Sequence, residues 1–171
     1  MNIKRLTTLA MLIGVYVVLG NLTLSTLSFK FTLEAFPVLV ASLLLGPVDG
    51  LIVGGVGSLI YQVLFSGYGI TATTLLWVIP HAVSGFIVGC YGKAKNHSLS
   101  FRQIAFIAIV SSLIVTGLNT IVMILDAIIM KYSYSYVFIN LITRIIVGII
   151  LAIIYSLVLP RLLNYLKKIQ R

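Results

Sequence analysis

Between Leu6 and Leu159 the chain is a succession of apolar runs, several of them as long as the hydrocarbon layer of a bilayer is thick, joined by short connections. In lipid every backbone polar group has to be satisfied within the structure, and a run of about twenty apolar residues meets that demand as a helix. The composition leaves no other setting for these runs. Apolar residues make up 60% of the 171 positions, charged residues 9%, and the mean hydropathy is +1.17. A soluble domain of this length needs more polar groups to cover its surface.

The sequence therefore predicts an all-α integral membrane protein whose six transmembrane helices form one compact bundle over residues 1–171. The expected spans are Leu6 to Leu22, an unusually short Leu33 to Leu45, Val48 to Phe65, Leu75 to Tyr91, Ile104 to Ala127 and Tyr136 to Leu159. The first run follows Lys4 and Arg5 as a secretory signal would, but it lacks a small-residue cleavage pattern and more spans follow it, so it reads as a span.

The net charge of +9 is distributed unevenly. With both termini on one side, that side collects Lys4, Arg5, Lys93, Lys95, Arg102, Arg161, Lys167, Lys168 and Arg171, nine of the twelve basic residues. The opposite connections hold Lys30 and Lys131. This asymmetry assigns both termini to the cytoplasm. It is a topology signal, accompanied by contact with anionic lipid, and it does not indicate a nucleic-acid partner.

The remaining basic residue, Arg144, stands inside an apolar run, LITRIIVGII. It lies eight residues past Tyr136, roughly 12 Å below the outer boundary at 1.5 Å per residue. A charge at that depth costs at least about 2.5 kcal/mol unless it is paired or wet, so it has to face the bundle interior or a cavity. Asn119, in span five, and His81, in span four, reach comparable depth, roughly 10 and 9 Å inward.

Helical spacing groups these residues into stripes: Asn140, Arg144, Gly148, Ala152 and Tyr155; Ser112, Thr116, Asn119, Met123 and Asp126; Thr74, Trp77, His81 and Ser84. Ser112, Thr116, Gly148 and Ala152 read as interhelical packing. Arg144 reads as functional, with an internal pair to Asp126 as the structural alternative. His81 fits either role. Trp77 serves as an interfacial anchor or as a ring on which a flat ligand stacks. The combination predicts a cavity that opens outward, lined by rings, amides and hydroxyls around one cation, and suited to a small planar molecule with an anionic group.

No catalytic apparatus is visible. His81 and His97 are far apart in the sequence, and there is no HExxH, no GxSxG and no GxxxxGK[ST]. ATP hydrolysis is not encoded in the chain, and neither a cofactor nor a metal is expected. The lone Cys90 precludes an internal disulfide or a clustered thiolate site. Gly50, Gly54, Gly55 and Gly57 allow close helix approach in span three, read as packing within the chain; Ala10 and Gly14 form a small-xxx-small pair in span one, for packing or for docking.

The stretches ASLLLGPVDGLIVGGVGSLIYQVLF and GYGITATTLLWVIPHAVSGFIVGCYGK, the LNT at 118–120 and the arginine of span six resemble the substrate-binding S component of energy-coupling factor (ECF) vitamin transporters, in its folate-family branch. The resemblance covers nearly the whole chain. It implies a multi-pass protein of the bacterial cell membrane, not an enzyme, that captures a vitamin from outside beneath a mobile first outer loop. It implies partners as well: one membrane coupling subunit and two ATPases. Carried over by position, Ala10 and Gly14 match the surface that docks the coupling subunit. Phe29, Lys30, Phe31, Glu34, Tyr68, Trp77, Asn119 and Arg144 match the ligand-facing region, to which His81 is added on depth alone. The expected cargo is folate or a related pterin, with other vitamins such as thiamin, pantothenate or riboflavin, or a small membrane enzyme acting on lipid intermediates, as alternatives.

Overall fold

A computed structural model of the chain describes residues 3–22, 24–26, 29–65, 70–131 and 133–169, with backbone alone at 24–26, 29–31, 134, 136 and 166–169. Six α-helices follow in order: α1 (Ile3–Asn21), α2 (Ala35–Leu45), α3 (Pro47–Phe65), α4 (Ile79–Ala94), α5 (Phe101–Met130) and α6 (Tyr134–Ile169). Four helices, α1, α3, α5 and Val137–Tyr165 within α6, are long and apolar enough to cross a membrane. Each expected span falls on one of the six helices, but α2 and α4, at 11 and 16 residues, are not among the four of crossing length, and two boundaries differ. Span four begins as a 3₁₀ turn, Leu76–Val78, and becomes α-helical only at Ile79. Span six does not stop before Pro160, because the helix continues through that residue to Ile169.

Local chemistry sets the boundaries. Gly46 adopts φ +114°, a conformation that glycine alone enters freely, and Pro47 opens α3 with its fixed φ, so α2 ends and α3 begins within two residues. The start of α5 is closed by a capping box in which Ser100 and Gln103 each accept the other's backbone N–H. Between α1 and α2 the chain forms a short antiparallel hairpin, Leu24–Thr26 (β1) with Phe29–Phe31 (β2), pairing Leu24 with Phe31. The sequence showed only an aromatic and hydroxyl-rich connection there.

Helix α2 sits at the centre. It is apolar on all sides, as a helix enclosed by others must be, and every residue from Pro37 to Leu43 is buried. On one side Leu39 and Leu43 pack with Val88, Ile104, Ile107, Tyr155, Leu159 and Leu163. On the other, Val38 and Ala41 pack with Leu9, Tyr16, Val53 and Tyr61. Because lipid is as apolar as these side chains, the helices are held by close packing and by polar contacts between them.

The closest packing joins α3 to α4. A Cβ at Gly85 would fall on the Gly50 carbonyl oxygen, one at Gly54 on the His81 carbonyl, and one at Gly89 on Pro47. Ser42 Oγ adds a hydrogen bond to the Gly85 carbonyl at 2.8 Å. Gly50 and Gly54 thus serve packing within the chain, as read from the sequence. Gly57 faces the Tyr16 ring of α1, and Gly55 only reaches ordinary contact with Ala82.

A polar clamp fixes the start of α1. Arg5 Nε lies 3.1 Å from both carboxylate oxygens of Asp49, and a terminal guanidinium nitrogen lies 2.7 Å from one of them. Asp49 is 1% exposed and stands in the first turn of α3, where the helix dipole also favours a negative charge. Arg5→Met would strand this carboxylate at an expected cost of about 1–3 kcal/mol. Thermal unfolding in detergent should show the loss, and Arg5→Met with Asp49→Leu should recover most of it. An unchanged midpoint in the single variant would mean that the pair does not hold α1.

Candidate functional site

Two polar groupings lie between the helices, and the 3₁₀ turn separates them. At Leu76–Val78 the chain advances by about 120° per residue rather than 100°, so Trp77 and His81 no longer share one face. The single stripe expected from Thr74 to Ser84 is therefore split.

Trp77 turns toward α5 and α6. It packs against Met123, Ala127 and Val137, and the guanidinium carbon of Arg144 lies 5.2 Å from the centre of its ring. Such a contact is worth about 0.5–2 kcal/mol depending on solvation. Arg144 is partly buried, as are Asn119 and Asp126 on α5 and Asn140 on α6. Further along the same two helices the small and hydroxyl residues do the packing assigned to them. Ser112 Oγ donates to the Gly148 carbonyl at 2.8 Å, and a Cβ at Gly148 would meet Thr116 Oγ1 at 2.6 Å.

His81 turns the other way, toward α1, α2 and α3. Its Nε2 lies 3.3 Å from Glu34 Oε1, an ionic contact only when the imidazole is protonated. The Tyr16 ring meets the imidazole edge to face, 5.4 Å between centroids at 86°. Gly20 opens room for this arrangement, since a Cβ there would come within 3.1 Å of Glu34 Oε2 and 2.9 Å of the Tyr61 ring. Tyr155 stacks obliquely on Phe36, 6.1 Å away. Among the described residues, His81 Nδ1 and the Tyr155 hydroxyl are buried without a hydrogen-bond partner, which is uncommon for buried polar atoms.

Of the residues singled out by sequence, the structure brings Trp77 to Arg144 and Glu34 to His81. Asn119 lies along α5 on a partly buried position. The side chains of Phe29, Lys30 and Phe31 lie outside the described residues, as does Tyr68. Ala10 and Gly14 are on the exposed face of α1, and a Cβ at Gly14 would meet nothing within 4 Å. A hollow among the described residues, about 370 Å³, opens between α4 and α5 and not beside Arg144. Sequence reading missed Tyr16 as a partner of His81. The available signal was a tyrosine in the apolar first span, one helical turn before Gly20.

A family model described as "ECF transporter, substrate-specific component" matches residues 4–163. The chain belongs to this family. It is the substrate-specific component of a transporter rather than an enzyme, and it is an integral membrane protein. No curated protein matches this component in sequence. Among solved structures, it is similar to FolT bound with folic acid, with a TM-score of 0.68 and 19% identity over 96% of this chain and 94% of that one. It is also similar to the S component for biotin of an ECF-type ABC transporter, with a TM-score of 0.60 and 18% identity over 94% and 90% of the two chains. At these identities the likeness establishes the shared fold. Membership of the family implies that this substrate-specific component works with an ECF module.

Proposed function

We propose that this substrate-specific component captures folate or a related pterin from outside the cell and delivers it through an ATP-driven coupling module. The observation that carries this reading is the Arg144 guanidinium held over the Trp77 ring, inside a bundle whose family binds transport substrates. A pterin supplies a flat ring system for the aromatic face, and its glutamate tail supplies carboxylates for a planar, permanently charged donor. The similarity to a structure solved with folic acid supports the same cargo. Biotin, a smaller carboxylate, is the alternative raised by the second structure.

In this reading Phe29 or Phe31 and Tyr68 add stacking area, Asn119, Glu34 and His81 read the hydrogen-bonding edge, and Arg144 or Lys30 meets a carboxylate. The termini are cytoplasmic, as the basic residues indicate. Equilibrium binding of a panel of labelled vitamins to the purified chain tests the assignment. Retention of folate above biotin, thiamin, pantothenate and riboflavin is the expected result, and preference for any of the others replaces it.

The coupling module is proposed to comprise one membrane coupling subunit and two ATPases, docking on the face of α1 that carries Ala10 and Gly14. Gly14→Leu should abolish copurification of the module while cargo binding by the isolated chain is retained. Unimpaired assembly of this variant would place the docking surface elsewhere.

A further inference from the structure

The 3₁₀ turn that parts Trp77 from His81 has a chemical cause one residue before the histidine. In an α-helix the Leu76 carbonyl would accept from the amide of residue 80, four positions on. That residue is Pro80, which has no N–H to give. The Ile79 amide reaches the Leu76 carbonyl instead, one residue early. Bonds of the same short span precede it, from the Val78 amide to the Leu75 carbonyl at 3.2 Å and from the Leu76 amide to the Thr73 carbonyl at 2.9 Å. The chain is therefore wound at about three residues per turn through Val78, and α4 begins at Ile79 with the proline in its first turn, where a donor is not needed.

Packing decides which side of the turn yields to this winding. Beyond the turn α4 is fixed against α3, since a Cβ at Gly54 would fall on the His81 carbonyl, one at Gly85 on the Gly50 carbonyl and one at Gly89 on Pro47. The extra twist cannot turn α4, so it shows as a rotation of Trp77. Over the two steps from Trp77 to Ile79, at about 120° per residue rather than 100°, the offset between Trp77 and His81 grows by roughly 40°. The indole then lies against Met123, Ala127 and Val137, with the Arg144 guanidinium carbon 5.2 Å from its centre. Contacts of this kind reach to about 6 Å, and a return to α-helical winding would break this one.

We propose that Pro80 is a positioning residue for cargo: by withholding one N–H it imposes the 3₁₀ turn that sets Trp77 against Arg144 before the cargo arrives. This rests on the reading of Trp77 and Arg144 as the cargo site. The benefit is pre-organisation, because a ring already in place does not have to be ordered at the expense of binding.

Trp77 is the one tryptophan of the chain, so its emission in the cargo-free protein reports the contact without a label. Arg144→Leu removes a charge beside the ring and should shift that emission. In a Pro80→Ala background the N–H is restored, the turn winds as α-helix, and Arg144→Leu should no longer shift it. Pro80→lactic acid, an ester in place of the amide, lacks the N–H without having the ring, and should respond as the wild type does. Folate affinity should fall about tenfold in Pro80→Ala and hold in the ester variant. An emission response to Arg144→Leu that persists in Pro80→Ala or is missing in the wild type would overturn the proposal. So would an ester variant that matches Pro80→Ala, or unchanged folate affinity in a Pro80→Ala protein whose emission response is lost. A wild type that binds no folate would instead remove the cargo assignment, and the emission series would still decide whether Pro80 sets the ring.

Discussion

Arg144→Leu should weaken cargo binding about 30-fold or more while leaving a folded, monodisperse protein. Two effects combine. The variant removes the charge-assisted contact to an anionic ligand, and it leaves the ligand's carboxylate desolvated without a partner, a loss of about 2–5 kcal/mol for a buried charged contact; each 1.4 kcal/mol is tenfold in affinity. The fold should survive because leucine is at home at this depth, whereas the arginine it replaces is not. Arg144→Lys separates charge from shape. Lysine keeps the charge but loses the planar fork and the stacking on Trp77, 5.2 Å away, so an intermediate loss is expected. Equilibrium binding of labelled folate checks both variants, with thermal unfolding as the control for structure. Wild-type affinity in Arg144→Leu would reduce the arginine to a structural partner of the tryptophan and remove the main support for an anionic cargo.

The second large effect lies far from the ligand. Gly85→Leu should prevent recovery of a monodisperse protein, because its first added atom would fall on the Gly50 carbonyl oxygen. The obstacle is backbone, which cannot rotate away as the end of a side chain can. Relief requires α3 and α4 to separate, which also breaks the contact of Gly54 with the His81 backbone and that of Gly89 with Pro47. Overpacking costs about 1–3 kcal/mol where neighbours adapt, and more is expected where two backbones are in contact along several turns. Gly117→Ala is the matched control: its Cβ has open space, so its unfolding midpoint should stay close to that of the wild type. If Gly85→Leu were as stable as that control, the glycine contact would not be what sets the distance between the two helices.

The two sites differ in how much of them was legible beforehand. Arg144 announced itself, because a permanent cation in an apolar run is expensive wherever it points. Its contact with Trp77 was less accessible: the spacing placed Trp77 and His81 on one stripe, and a 3₁₀ turn of three residues, Leu76–Val78, rotated them apart. Glu34 was assigned to an outer connection facing the ligand; what the sequence did not indicate is its contact with His81 at the start of α2, beside Tyr16 and Gly20 of α1. The clamp between Arg5 and Asp49 was not anticipated, since Arg5 counted only as a topology marker.

Helix number, helix order, the short second helix and the Gly46–Pro47 break were determined by the sequence alone. Each follows from a local demand: lipid requires runs of backbone hydrogen bonds, and glycine and proline interrupt them where they stand. Which way each helix turns about its own axis was decided only in the tertiary structure. In water an apolar stripe marks the inward face, but in a bilayer the lipid-facing side is equally apolar, so orientation rests on small-residue contacts and polar pairs between helices distant in sequence. Gly50 against Gly85, Trp77 under Arg144 and Glu34 beside His81 are pairings of that kind.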